Sequence, residues 1–160
     1  MVRETVTFTV NGKDVSLEVE PGEMLVDVLR ERLGLTGTKT GCREGECGVC
    51  SVIMNGLLVA ACLMPIKKAH GATILTIEGL EANGELDSVQ KRFIEHGAVQ
   101  CGFCTPAMVL AGKALLDKNP QPTREEIQLA ISGILCRCTG YQKIIKAIDA
   151  ASALGTRGEA

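Results

Sequence analysis

Polar and apolar residues alternate through the first third of the chain, then give way to apolar residues every three or four positions in its second half. In "TVTFTVNGKDVSLEVEPGE" (Thr5–Glu23) the period of two predicts two strands, and Asn11-Gly12 between them predicts the hairpin turn. In "MLVDVLRERLG" (Met24–Gly34) the period changes. Leu25, Val28, Leu29 and Leu33 share one helical face, and Gly34 supplies the stop. "CSVIMNGLLVAAC" (Cys50–Cys62) predicts a second strand–turn–strand, turned at Asn55-Gly56, and "ATILTIEGL" (Ala72–Leu80) one more strand. Several strands with one helix make residues 1–80 a small α+β unit.

Beyond Leu80 the alternation stops. "EANGELD" (81–87) reads as a linker, and "SVQKRFIEHG", "TPAMVLAGKALLDKN", "TREEIQLAISGIL" and "YQKIIKAIDAASAL" read as four helices, so residues 88–155 form a helical unit. Thr105 is expected as an N-cap with Pro106 at the first helical position, and Thr123-x-x-Glu126 as a capping box. Asn119-Pro120 ends the preceding helix, and the tail 156–160 is expected to fray.

Composition limits what such a chain does. It has 160 residues, 46% hydrophobic and 22% charged, which suits one ordinary domain or two small ones. Its aromatics are Phe8, Phe93, Phe103 and Tyr141, with no Trp, so the core is modest. Units of about 80 residues are marginal without a staple or a metal. A net charge of −2 gives no basic surface for nucleic acid or an anionic membrane. No segment approaches the roughly 18 apolar residues of a membrane span, and "MVRETVTFTVNG" has no signal-peptide apolar run. The expectation is a cytoplasmic chain, and in a reducing cytosol eight cysteines point to metal or redox chemistry rather than disulfides.

Cys42, Cys47, Cys50 and Cys62 are spaced C-x4-C-x2-C-x11-C, which is similar to the plant-type [2Fe–2S] ferredoxin pattern. Gly41, Gly45 and Gly48 interleave these thiols, and glycine at positive φ lets the backbone wrap tightly and aim its N–H groups at sulfur. Such donors offset the formal charge of about −2 on an oxidised cluster with four thiolates. Cys101, Cys104, Cys136 and Cys138 are spaced C-x2-C-x31-C-x-C, each pair at a helix start or a turn between helices. Unpaired N–H groups and the positive dipole end suit an anionic cluster there. Structural zinc, disulfides and thiol redox chemistry at Cys101-x-x-Cys104 remain open on spacing alone.

Other candidates carry little. His70 and His96 are lone residues expected to face solvent, and Glu125 and Glu126 complement a helix dipole. Met24, Met54, Met64 and Met108 are expected as core filler. No G-x-G-x-x-G, P-loop or nucleophile elbow occurs.

"GCREGECGVC", "QCGFCTPAM" and "LCRCTGYQKI" together resemble the small iron–sulfur subunit of the molybdenum hydroxylases, the xanthine oxidase/dehydrogenase family, over nearly the whole chain. The resemblance implies an α+β fold: a plant-ferredoxin-like β-grasp domain followed by a four-helix bundle. It implies two [2Fe–2S] clusters, one on Cys42, Cys47, Cys50 and Cys62, the other on Cys101, Cys104, Cys136 and Cys138. It places molybdopterin, in its cytosine dinucleotide form, on a large partner subunit and FAD on a medium one, in a heterotrimer or its dimer. Gln100 matches the family glutamine that hydrogen-bonds the pterin, and Cys138 the ligand nearest the pterin amino group. The implied work is electron transfer from the molybdopterin site to FAD, with no substrate chemistry on this chain and a purine, N-heterocycle or aldehyde as substrate. A free-standing ferredoxin-type carrier is the alternative, but it gives no reason for the second unit. Ala107 and Ile134 depart from the family's usual glycine and asparagine, and Ile134 removes a polar side chain beside the second cysteine set. Phe103, Leu135 and Ile144 are the expected apolar cover over that set.

Overall fold

The computed structural model describes residues 3–155, so the expected fraying of 156–160 lies outside it. The alternating segments form β1 (Glu4–Val10) and β2 (Lys13–Val19), antiparallel from Glu4↔Val19 to Val10↔Lys13. Their turn is Asn11-Gly12, both left-handed with φ 50° and 75°, the conformation that lets a two-residue loop follow the twist of the strands. β3 (Ser51–Met54) and β4 (Leu57–Ala60) repeat the device around Asn55-Gly56, at φ 50° and 77°. β5 (Thr73–Leu75) completes a mixed sheet of order β2-β1-β5-β3-β4, parallel to β1 and antiparallel to β3.

The helix expected over Met24–Gly34 is irregular. α1 (Leu25–Asp27) passes directly into a π-helical turn (Val28–Arg32), where the Leu33 N–H bonds the Val28 carbonyl at 3.1 Å. Leu25, Val28 and Leu29 are buried as predicted, with Val26 beside them, whereas Leu33 is half-buried. Together with Val6, Phe8, Val10, Val52 and Ile74 they build the core on one face of the sheet.

Four helices follow: α2 (Ser88–Glu95), α3 (Thr105–Leu116), α4 (Arg124–Ile131) and α5 (Gln142–Gly155). Thr123 and Glu126 form the predicted capping box, with N–H···O distances of 3.2 and 2.7 Å. Asp87 and Gln90 form a second at the end of the exposed 81–87 segment. At α3 the expectation shifts by one residue. Cys104 is the N-cap, makes no side-chain cap, and leaves Thr105 as the first helical residue. Gly112 lies where α3 crosses its neighbours, since a Cβ there would meet Ile148 at 3.0 Å and Val89 at 3.3 Å.

The two halves share their packing. Val49, Ile53 and Leu80 belong to the helical core, alongside Phe93, Met108, Ile131 and Ile148. Adjacent residues of a strand point to opposite faces, so Val52 enters one core and Ile53 the other. The sheet is therefore covered on both sides. Of the four methionines read as core filler, only Met108 is fully buried; Met24, Met54 and Met64 are half-buried. No helix among the described residues is long and apolar enough to cross a membrane.

Candidate metal centres

The first four cysteines belong to one stretch of chain between α1 and β4, plus the 3-10 turn that follows β4. The loop from Gly41 to Cys50 winds without regular structure, turned by Arg43, Gly45 and Gly48 at φ 61°, 80° and 65°. Gly41, expected to share that role, is not left-handed. It is needed for space instead: a Cβ there would lie 2.8 Å from Cys47 Sγ. Arg43 is held over the loop by a two-pronged ion pair with Asp27 of α1, at 2.7 and 3.1 Å.

Inside this loop the backbone is aimed at sulfur. Cys42 Sγ accepts the N–H of Glu44 at 3.3 Å and of Cys47 at 3.4 Å, and Cys47 Sγ accepts the Cys42 N–H at 3.4 Å. Those bonds favour the thiolate and lower the Cys42 pKa to about 7. Cys50 and Cys62 form the other pair, buried at 2% and 5% exposure. Burial drives Cys50 up to about 11, because removing a thiolate from water disfavours its charge.

The second four come from two loops far apart in sequence: Cys101 and Cys104 between α2 and α3, Cys136 and Cys138 between α4 and α5. The structure pairs them across the loops. Cys138 Sγ donates to Cys101 Sγ at 3.6 Å, and Cys104 is hydrogen-bonded to Cys136. The Cys101–Cys138 pair is exposed, beside the exposed Gln100, whereas Cys104 is buried and Cys136 half-buried. Burial first, then the neighbouring Cys136, raises Cys104 to about 12. The Phe103 backbone and the Cys138 thiol lower Cys101, and the same sulfur–sulfur bond raises Cys138. Burial works to raise Cys136 as well, yet hydrogen bonds from Thr139 outweigh it and leave that thiol lowered. Each site thus holds a thiol shifted down and a thiol shifted up, and a metal binding there displaces the protons of both.

Eight thiols gathered two by two fit a dinuclear cluster, which takes two thiolates on each iron. A single structural zinc draws four donors to one point. Among the described residues no three His, Cys, Asp or Glu side chains are grouped to hold one metal ion. A cavity of about 250 Å³ touches both sets, lined by Cys47 and Val49 on one side and Cys101, Cys104, Cys136 and Cys138 on the other.

Three contacts escaped the sequence reading. The Leu135 N–H donates to the Cys47 carbonyl at 2.9 Å, tying the two cysteine loops together. Gly48 permits this approach, since a Cβ there would lie 2.1 Å from the Gly133 carbonyl oxygen. Tyr141, left-handed at φ 64°, turns its hydroxyl back to accept the Cys136 N–H at 2.9 Å and donate to the Ile134 carbonyl at 3.3 Å. Only the left-handed glycines were legible as signals for these turns.

Other expectations change in detail. Phe103 and Leu135 are 47% and 59% exposed, so only Ile144 of the three expected cover residues is buried. Ile134 is buried in the helical core, and the hydrogen bonds at that position are carried by its backbone. Ala107 is buried without strain of its own at the first turn of α3. His96 and His70 are exposed, but His70 Nδ1 accepts the Thr7 N–H at 3.2 Å.

Two family models match in tandem: "2Fe-2S iron-sulfur cluster binding domain" over residues 8–72 and "[2Fe-2S] binding domain" over residues 76–149. The nicotinate dehydrogenase small FeS subunit of Eubacterium barkeri is 53% identical over 92% of this chain and 94% of its own. The aldehyde oxidoreductase of Megalodesulfovibrio gigas is 45% identical over 92% of this chain, which spans only 16% of that longer protein. Among solved structures, a chain of quinoline 2-oxidoreductase from Pseudomonas putida 86 superposes with a TM-score of 0.92 at 43% identity, covering 99% of both chains.

Proposed function

The chain belongs to the small [2Fe–2S] iron–sulfur subunits of the molybdenum hydroxylase (xanthine oxidase/dehydrogenase) family, and from that premise we propose how it works. It is the electron-transfer subunit of its complex. Cys42, Cys47, Cys50 and Cys62 hold one [2Fe–2S] cluster, and Cys101, Cys104, Cys136 and Cys138 hold the other. Each cluster, when bound, supplies a one-electron carrier. The observation that carries this reading is the pairing of the thiols, two by two, in both sets.

The residues of this chain do the rest. The exposed Cys101–Cys138 pair, with Gln100 beside it, is the end that faces molybdopterin on a large partner subunit. The first site as a whole, on Cys42, Cys47, Cys50 and Cys62, is the one that leads toward FAD on a medium subunit. Between them runs a short path, Cys47 C=O···H–N Leu135 and on to Cys136, at 2.9 Å across the hydrogen bond. Backbone donors at Cys42 and the Thr139 donors at Cys136 offset the negative charge of the thiolates.

The finer structural reading belongs here too. Residues 1–80 form a β-grasp, ferredoxin-like domain, 81–87 the linker, and 88–155 a four-helix bundle. The mixed sheet with β1 parallel to β5 supports the first, and α2–α5 around one core the second. Relatives named for nicotinate, quinoline and aldehyde oxidation support an N-heterocycle or aldehyde as substrate of the assembled enzyme, with a purine third. A heterotrimer or its dimer, a cytosine dinucleotide pterin and a cytoplasmic setting complete the proposal, the last supported by eight thiols outside any disulfide.

Metal analysis and electron paramagnetic resonance test it. The purified complex should contain about four irons and four acid-labile sulfides in this chain, with two distinguishable [2Fe–2S] signals on reduction. Cys138→Ser should abolish one signal and leave the other. A colourless, zinc-containing protein would sink the reading, and so would loss of both signals from a folded variant.

A further inference from the structure

Thr139 stands one residue beyond the second cysteine set and takes no part in the ligand assignment, yet it makes two contacts with one sulfur. Its N–H donates to Cys136 Sγ at 3.4 Å, and its Oγ1 lies 3.0 Å from the same atom. The hydroxyl is itself held. Tyr141 N–H donates to Thr139 Oγ1 at 3.2 Å, so the hydroxyl oxygen is occupied as an acceptor and its hydrogen is free to turn to sulfur. A metal-bound Cys136 has no proton to give, which leaves O–H→S as the only direction.

The backbone conformation behind this arrangement is unusual. Tyr141 is left-handed at φ 64°, next to Gly140 at φ 61°. A bulky residue rarely adopts that region without surrounding contacts that require it. Here the contacts are visible. The Tyr141 hydroxyl bridges the Cys136 N–H and the Ile134 carbonyl, at 2.9 and 3.3 Å, while its N–H faces Thr139. Tyr141 therefore clamps the Cys136–Cys138 turn from both ends and fixes the Thr139 hydroxyl toward sulfur. A chain of donors of this kind polarises its last member.

We infer that Thr139 is a positioning residue for electron transfer, whose hydroxyl, oriented by Tyr141, donates to Cys136 Sγ and raises the reduction potential of the second site. This rests on the proposal that Cys136 ligates a [2Fe–2S] cluster. Reduction adds one electron and hence negative charge on the sulfurs, so a donor to sulfur stabilises the reduced form more than the oxidised one. Loss of one charge-assisted hydrogen bond should shift the one-electron equilibrium about tenfold toward the oxidised form, a fall of ~59 mV.

The experiment is a redox titration of the full chain in its complex, followed by the two [2Fe–2S] signals. Thr139→Val and Thr139→Ala should lower the potential of the second signal alone. Thr139→Ser, which keeps the hydroxyl, should stay at the unsubstituted potential. An unshifted potential in a hydroxyl-free variant, or an equal fall in the serine variant, overturns the inference. Should neither hydroxyl-free variant assemble the second cluster, electron–nuclear double resonance on the unsubstituted protein decides. A hydroxyl proton coupled to the second signal, lost on brief transfer to D2O, is expected, and its absence counts against the donor. Failure of the ligand assignment looks different: Cys136→Ser would then leave iron content and both signals intact.

Discussion

The two cysteine sets solve one problem in opposite ways. The first gathers most of its thiols on one glycine-turned loop and draws donors for sulfur from the backbone of that loop, Glu44 and Cys47. The second joins two loops separated by α3 and α4, pairs its thiols across them, and draws donors for Cys136 from Thr139, including a side-chain hydroxyl. Burial differs as well. The first set buries its Cys50–Cys62 pair completely, whereas the second leaves Cys101 and Cys138 open to solvent. A local site is specified by the conformations of a few residues. A site built between helices is specified by how those helices pack, and any change in that packing reaches its sulfurs.

Exchanging one ligand on each side tests the contrast most severely. Cys50→Ser should remove the first [2Fe–2S] signal completely and Cys104→Ser the second, each leaving its counterpart. Since metal binding contributes folding energy where a site is assembled by tertiary packing, Cys104→Ser should also lower the cooperativity of unfolding more, as circular dichroism would register. Equal unfolding behaviour for the two variants would erase the distinction between local and assembled sites.

Next in size is thiol reactivity in the metal-free protein. With its pKa lowered to about 7, Cys42 is about half thiolate at pH 7, against roughly one part in ten thousand for Cys50 at about 11. Alkylation read by mass spectrometry should label Cys42 first, its rate half-maximal near pH 7 and levelling about one unit higher. Cys50 and Cys104 should label far more slowly, their rates still rising with pH where that of Cys42 has levelled. Equal labelling of Cys42 and Cys50 at pH 7 would mean that the backbone donors do not act on sulfur.

Gly48→Ala sharpens the comparison at the point where the two sets meet. The new Cβ would fall 2.1 Å from the Gly133 carbonyl at a residue held at φ 65°, so backbone strain and a clash combine to cost about 2–4 kcal/mol. Thermal unfolding should drop by roughly 10 °C, and the magnetic interaction between the two reduced sites should weaken as the loops separate. An unchanged melting temperature would show that this contact is not needed. The smallest effect belongs to Thr123→Ala, which removes a capping box remote from both sets and should cost about 1 kcal/mol while sparing both signals.

Much of this was legible along the chain. Asn11-Gly12 and Asn55-Gly56 announce their hairpins because few residue pairs accept consecutive positive φ. The first cysteine set is readable because its spacing and glycines act within a span of a few residues. Thr123 and Glu126 likewise sit within one turn of each other. Two contacts that escaped join distant segments, the bond from Leu135 to Cys47 and the pairing of Cys101 with Cys138, while the return of Tyr141 to Cys136 is local and escaped because no residue type announces a left-handed tyrosine. The π-helical turn after α1 escaped too, because its apolar pattern serves an ordinary helix equally well. Phe103 and Leu135 mislead for a related reason. An apolar side chain predicts burial somewhere, and both are exposed in this chain beside the open pair of thiols.

Periodicity, turn chemistry and spacing are local properties, so the elements, the eight thiols and their division into two sets can be read along the chain. Tertiary packing settled which thiol faces which across the loops and how those loops are joined through Cys47 and Leu135. Those choices depend on where α3 settles against the sheet and α5 against the other helices, a consequence of packing many side chains at once. No short stretch of the chain contains it.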